Sequence, residues 1–314
     1  MDWIKAMQFG QLVNAAYDVF ANEPAVTPGF DVLATIVAND LATDMNPLRG
    51  KQRVSIGLIF QELGSGNAVV AIRGTEGIKE WVQDANFGSM PFRRVAGAGC
   101  TEDGFTVMYE SMTVELSTGV LPVVDALAKI PWKKPGVNSL TICGHSLGGS
   151  LATLFALDVA ANAAVPFNTP TVYTYASPRT GDHDFAVKYH QTITTTYRLV
   201  DNVDLVPQLP GIFPYRHVTD SIGMDSLTLV PPRVMLQPNP LCWHIMSSYM
   251  YLMSLSGGGT IVNPEGECAQ NTTIMAILGK IEAELSDLQS IKDKFTASPR
   301  RNMGGNSQAV PGAY

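Results

Sequence analysis

Apolar residues recur along this chain in two rhythms, every second residue or every third to fourth, and the segments that carry them alternate. Trp3, Ile4, Met7, Leu12, Ala15, Ala16, Val19 and Phe20 keep roughly helical spacing and stop before Pro24. That predicts an N-terminal helix over residues 3–22, covering a sheet. Pro47 and Gly50 lead into Val54, Ile56, Leu58 and Phe60, which alternate as a strand does, then Gly64-Ser65-Gly66-Asn67 breaks the run and residues 69–72 resume it. This is a β-hairpin signature. The second strand ends in Arg73-Gly74-Thr75 and gives way to a mixed polar and apolar segment, residues 76–87, that contains Trp81.

Residues 97–104 are glycine-rich and read as surface; Phe105, Met108, Tyr109 and Met112 begin a helical pattern, and a further helix is expected over residues 120–130. Downstream, strands are expected at residues 171–176 and 194–200, with a turn at Ser177-Pro178-Arg179 and a helix near residues 185–190 between them. Residues 215–220 and 227–230 look like further strands, and the proline-rich residues 231–240 deliver Cys242-Trp243-His244 to the start of an apolar helix. Leu278, Ile281, Leu285, Leu288 and Phe295 space an amphipathic helix over about 273–295, and the polar, glycine-containing residues 298–314 read as a mobile tail. Strands alternating with helices imply an α/β fold, a largely parallel sheet covered by helices, in a single domain over residues 1–297.

The sharpest local feature sits where the two rhythms meet. Ser139-Leu140-Thr141-Ile142-Cys143 is an apolar strand pattern, Gly144-His145-Ser146-Leu147-Gly148 follows, and Leu151, Leu154, Phe155 and Leu157 then mark a buried helix. Strand, tight turn and helix around a glycine-framed serine make a nucleophile elbow: side chains at 144 and 148 would collide if the turn were tight enough to present Ser146 Oγ. The amides at the start of the following helix favour negative charge beside that serine.

Composition narrows what such a serine can serve. The 314 residues are 46% hydrophobic and 16% charged, enough for a large core, and a net charge of −7 with scattered Lys and Arg provides no footprint for nucleic acid. No run of about 18 apolar residues is present to span a membrane. Met1-Asp2-Trp3-Ile4-Lys5 lacks the basic start of a secretory signal, so the expectation is a cytoplasmic protein or a mature secreted form without its leader. The four cysteines, Cys100, Cys143, Cys242 and Cys268, form no C-x-x-C pair, which argues against zinc; Cys143 reads as a core thiol and pairing among the others stays open. Oligomeric state is not legible.

A serine hydroxyl needs a histidine base, and that base needs a carboxylate to orient it. In α/β-hydrolases the chain order is serine, acid, histidine. Asp201 and Asp204 both lie in the polar loop after the strand at 194–200, so His183 and His190, which precede it, are disfavoured, and His145 should point away from its neighbour Ser146. The base is then His217, inside an alternating run where a structural histidine is ordinary, or His244, delivered by a loop to a helix start; the second is preferred.

At this level the chain resembles the class 3, fungal-type lipases of the α/β-hydrolases over roughly residues 54–254. Arg73-Gly74-Thr75 is similar to the family's R-G-[ST], Gly104-Phe105 with Tyr109 to its G-F-x-x-x-Y, and Ser177-Pro178-Arg179-Thr180-Gly181 to its S-P-R-x-G. Asn202-Val203-Asp204-Leu205-Val206-Pro207-Gln208-Leu209-Pro210 matches N-x-x-D-x-V-P-x-L-P. The resemblance implies Ser146, Asp204 and His244 as catalytic residues, Thr75 and the Leu147 N–H as the oxyanion hole, and a short helical lid over about 76–88. Ile78, Trp81, Val82 and Ala85 would share one apolar face of that lid. Glu102 departs from the family, which often has histidine there, and Asp182 stands where asparagine is usual. The implied activity is hydrolysis of carboxylic esters through an acyl-enzyme, triacylglycerols first, with shorter-chain esters, phospholipids cleaved as by a phospholipase A1, and feruloyl esters as alternatives. No metal or organic cofactor is implied, and the expected partner is a lipid or other ester substrate, at an oil–water interface where it is insoluble. A lipase-like binding protein without turnover is the rival from another class.

Overall fold

A computed structural model describes residues 1–40, 52–75, 87–134, 137, 139–164, 167–211, 213–229, 235–236, 240–257 and 268–270. The expected lid, with Ile78, Trp81, Val82 and Ala85, lies outside these residues except for Phe87 and Gly88, and so do the helix expected at 273–295 and the tail at 298–314.

The chain opens with α1 (Trp3–Phe20) and continues through β1 (Phe30–Asn39), β2 (Arg53–Glu62) and β3 (Ala68–Ile72). After β4 (Ser89–Pro91) and β5 (Cys100–Glu102) come α2 (Asp103–Glu110), β6 (Thr113–Leu116), β7 (Gly119–Pro122) and α3 (Val123–Ala126). The elbow region is β8 (Leu140–His145) and α4 (Leu147–Asn162), followed by β9 (Thr171–Tyr175), β10 (Gly181–Asp182), α5 (His183–Thr192) and β11 (Thr195–Asp201). Beyond lie β12 (Tyr215–Arg216), β13 (Ser221–Met224), α6 (Ser226–Leu229), β14 (Met235–Leu236), α7 (Pro240–His244), α8 (Met246–Leu255) and β15 (Ala269–Gln270).

Nine strands form one sheet in the order β13-β11-β9-β8-β3-β2-β1-β6-β7. From β3 to β13 the pairings are parallel, and β2, β1, β6 and β7 extend the sheet antiparallel. The parallel part is covered on both faces, which is why β3 reads as the unbroken apolar run Ala68-Val69-Val70-Ala71-Ile72, buried throughout. One face meets α1 and α8: Tyr175 donates to Ala6 O at 2.5 Å, and Cys143 Sγ lies 3.6 Å from Phe9 O. The other face meets α4, whose Leu151, Leu154 and Phe155 share a core cluster with Val70, Ile72 and Ile142.

Several segments differ from the sequence expectation. Strand β1 had no expected counterpart; register shifts at Val32/Ala34 and Ile36/Val37 bulge it and blur its alternation. The helix expected over 120–130 is instead strand β7 up to Pro122, paired with β6 across a hairpin, and only then a short helix. Residues 227–229, expected as strand, are helical because Asp225 Oδ1 accepts the Leu227 N–H at 2.9 Å and caps the turn. In the run 215–220 only Tyr215 and Arg216 are strand, and pairing with β11 begins at Ser221.

The stretch 97–104 is not all surface either. Its β5 belongs to a second, four-stranded sheet, and Thr101 and Glu102 are buried. Glu102 stands where the resembled family often has histidine, and its carboxylate caps α2 by accepting the Phe105 N–H at 2.7 Å. Burial, against that hydrogen bond, pushes its carboxyl up to about 7. The folded protein therefore holds this proton over a pH range where the unfolded chain has lost it. Stability from this group is present below the unfolded value of 4.5 and is lost as pH rises through about 7. Glu102→Gln, which keeps an oxygen for the cap, is expected to be more stable than wild type by ~2 kcal/mol at pH 8 and equal to it near pH 4. Urea unfolding of both proteins at the two pH values checks this.

Candidate active site

Strand β8 ends at His145 and α4 begins at Leu147, so Ser146 alone makes the turn, at φ 55° and ψ −129°. A non-glycine residue at positive φ is strained and persists only when its surroundings over-determine it. Here Ser146 N–H donates to Tyr175 O at 2.8 Å, and Gly149 N–H donates back to Ser146 O at 2.9 Å. The flanking glycines are required by contact: a Cβ on Gly144 would fall 2.1 Å from Gly148 O, and one on Gly148 would fall 2.4 Å from both Ile72 O and Arg73 O. These neighbours are backbone atoms of packed elements and cannot yield. Gly148→Ala is therefore expected to destabilise the fold by at least ~2 kcal/mol, measurable as a fall of several degrees in the thermal midpoint with loss of soluble protein.

The Ser146 side chain meets an imidazole brought by a different part of the chain. His244, the last residue of α7, has Nε2 2.8 Å from Ser146 Oγ and Nδ1 2.9 Å from Asp204 Oδ2. A carboxylate only accepts, so Nδ1 carries the proton and Nε2 presents its lone pair to the serine hydroxyl. Ser146, Asp204 and His244 are 1%, 1% and 4% exposed. Shielded from water, such a row exerts its electrostatics at low local dielectric.

Asp204 is itself held by more than the histidine. Its Oδ1 accepts Val206 N–H at 3.0 Å, and its Oδ2 also accepts from Tyr249 Oη at 2.9 Å. Tyr249 Oη in turn accepts Asp201 N–H at 2.9 Å. Burial and the adjacent Asp204 charge push the Tyr249 phenol well up, so it remains a donor. Sequence reasoning missed Tyr249: in the apolar α8 it is indistinguishable from the core residues around it. Asp201 turns away, accepting Ser226 N–H at 3.1 Å, and burial raises its carboxyl to about 6.

The remaining histidines are placed elsewhere. His217 Nε2 donates to Pro207 O at 2.8 Å, bracing the turn after Asp204; burial and the charges of Arg198 and Arg179 lower it to about 3. His145 points away from Ser146, toward α1 and the backbone of His244. Leu147 is the first residue of α4, so its N–H is among the helix-start amides that intrahelical bonds leave over. Thr75 follows Gly74, which approaches Ser146 so closely that an added Cβ would lie 2.8 Å from Ser146 Cβ. A disulfide joins Cys242 to Cys268 and ties the helix that carries His244 to the chain 26 residues on.

A serine on a strained strand-to-helix turn, a histidine arriving from a later helix and a carboxylate from the loop after a parallel strand define an α/β-hydrolase. A family model described as Lipase (class 3) matches residues 69–213, a stretch that includes Ser146 and Asp204. Among curated relatives, Phospholipase A1-II 6 of Oryza sativa subsp. japonica is 32% identical over 218 residues, covering 63% of this chain and 53% of its own. Secreted mono- and diacylglycerol lipase 1 of Fusarium solani is 32% identical over 159 residues, covering 50% and 44%. The chain thus spans about half the length of the curated relatives it matches. The fold is similar to that of the Rhizomucor miehei lipase propeptide complex, with a TM-score of 0.55 at 21% identity over 70% of this chain and 67% of the other. It is also similar to a lipase from Rhizopus microsporus var. chinensis, with a TM-score of 0.53 at 21% identity over 70% and 72%.

Proposed function

We propose that this protein hydrolyses carboxylic esters of glycerolipids through an acyl-enzyme on Ser146. The observation that carries the reading is the unbroken row from Asp204 Oδ2 through the His244 imidazole to Ser146 Oγ, with contacts of 2.9 and 2.8 Å. Ser146 Oγ attacks the ester carbonyl carbon while its proton passes to His244 Nε2. The resulting oxyanion is held by the Leu147 N–H and Thr75, each such donor worth ~3 kcal/mol of barrier. Collapse breaks the bond to the leaving alcohol, which takes the proton from Nε2, and water repeats the sequence in reverse on the acyl-serine.

Triacylglycerol is the substrate that the resemblance suggests first. Acyl esters of phospholipids and of mono- and diacylglycerols stand beside it, because the matched relatives carry those names. The Cys242–Cys268 bridge supports an oxidising compartment over the cytoplasm. Among the described residues no helix is long and apolar enough to cross a membrane.

The test joins a covalent probe to a substrate panel. An organophosphonate ester is expected to label Ser146 in wild type and nothing in Ser146→Ala. Hydrolysis is then compared across triacylglycerols and diacylglycerols of increasing acyl length, phosphatidylcholine and a soluble feruloyl ester, below and above their solubility limits. A folded protein that binds lipid but neither labels nor turns over would be the silent binding protein instead.

A further inference from the structure

One buried group beside the nucleophile has no task in that mechanism, the imidazole of His145. It is 3% exposed, and its ring centroid lies 4.9 Å from that of His244. Its Nε2 is 2.8 Å from His244 O and its Nδ1 is 2.8 Å from Tyr17 Oη. Tyr17 Oη also accepts the Gly74 N–H at 2.8 Å.

The direction of every proton follows from these partners. A carbonyl oxygen can only accept, so the proton sits on His145 Nε2. A neutral imidazole carries one N–H, which leaves Nδ1 as an acceptor for the Tyr17 hydroxyl proton. The Tyr17 oxygen then has a lone pair for Gly74 N–H. Burial, and then the proximity of His244, hold His145 well below the usual imidazole range, in keeping with a ring that stays neutral.

We propose that this chain of hydrogen bonds, from Gly74 N–H through Tyr17 and His145 to the His244 carbonyl, sets the base and the oxyanion donor against Ser146 together. His145 and Tyr17 are positioning residues. The inference rests on the reading of Ser146, His244 and Thr75 given above. One end of the chain holds the backbone of the residue whose Nε2 meets Ser146 Oγ at 2.8 Å. The other end holds Gly74, directly before Thr75 and packed on Ser146 itself. The pieces come from α1, the end of β3, the end of β8 and α7, elements that nothing local in the sequence aligns. A neutral connector is what the chemistry asks for. A cation at 4.9 Å would oppose the imidazolium that forms on His244 when Ser146 gives up its proton. An imidazole held as the Nε2–H tautomer donates to the His244 carbonyl without adding that charge.

Three variants separate positioning from packing. Tyr17→Phe keeps the ring and loses the hydroxyl's hydrogen bonds to His145 Nδ1 and Gly74 N–H. His145→Gln can still donate to His244 O from a similar reach, and His145→Asn is too short. On a soluble short-chain ester, Tyr17→Phe is expected to lower kcat about tenfold and His145→Asn about 100-fold, with KM within about twofold, while His145→Gln stays within about fivefold of wild type. The rate of phosphonate labelling of Ser146 should fall in the same ratios. Nitrogen-15 NMR of wild type at the assay pH should show His145 as the neutral Nε2–H tautomer, and Tyr17→Phe should move its Nδ1 resonance. Wild-type kcat and labelling in folded Tyr17→Phe and His145→Asn would overturn the proposal. So would losses confined to KM or tracking the folded fraction, or an Nδ1–H tautomer. A wild-type protein that the phosphonate does not label at Ser146 would remove the hydrolase reading, and this inference with it.

Discussion

His244→Ala is expected to lower turnover of a soluble acyl ester by about 10⁴-fold or more, while His217→Ala leaves turnover within about fivefold and costs mainly stability. His244 Nε2 is the ring nitrogen that meets Ser146 Oγ, at 2.8 Å, and without it the hydroxyl has no proton acceptor. His145 cannot substitute, because its Nε2–H is committed to the His244 carbonyl and its Nδ1 to Tyr17. The catalysis that survives is what the oxyanion donors and binding supply alone. His217 holds Pro207 O, close in sequence to Asp204, so its loss loosens a turn rather than removing a reacting group. The check is kcat for both variants on a soluble ester, with circular dichroism and thermal midpoints establishing that each is folded. The opposite ranking would refute the assignment of the base.

Asp204→Asn is expected to leave a folded protein with turnover down by about 10⁴-fold, while Asp201→Asn is mild. The Asp204 carboxylate accepts hydrogen bonds from His244 Nδ1, Tyr249 Oη and Val206 N–H, one oxygen serving the first two. A carboxamide can offer only one oxygen to these three donors. If its NH₂ faces His244, it meets an N–H and drives the ring to the tautomer that has no lone pair for Ser146. If its NH₂ faces Val206 N–H, the loop that carries it is strained instead. Asp201 is a different case: it accepts from Ser226 N–H and makes no contact with His244, so its replacement by an amide removes no group that orients the imidazole. Steady-state kinetics at about pH 8 on both variants decides between them, and near-wild-type turnover in folded Asp204→Asn would exclude it as the orienting carboxylate.

What the sequence determined by itself was whatever short stretches encode. The elbow was legible because strand periodicity, two glycines at fixed offsets and helix periodicity lie within about 20 consecutive residues, and close packing explains each glycine. The hairpin of β2 and β3, the helix α1 and the α/β class were legible for the same reason. Bulged β1, the β6–β7 hairpin and the capped turn at Asp225 were not, since in each a pairing register or a side-chain bond outweighed local rhythm. Choosing Asp204 over Asp201 needed a family resemblance, because adjacent carboxylates in one loop look alike until a partner is seen. Tyr249, Tyr17 and the Cys242–Cys268 pairing were decided only in three dimensions. Tyr17 lies 128 residues from the imidazole it contacts, and His244 lies 98 from Ser146. A buried tyrosine in an apolar helix has the same sequence pattern whether its hydroxyl orients a carboxylate or merely finds a carbonyl. Only the packing of α1 and α8 against one face of the sheet brings those hydroxyls to the ends of β3, β8 and β11, where the polar atoms that need them are buried.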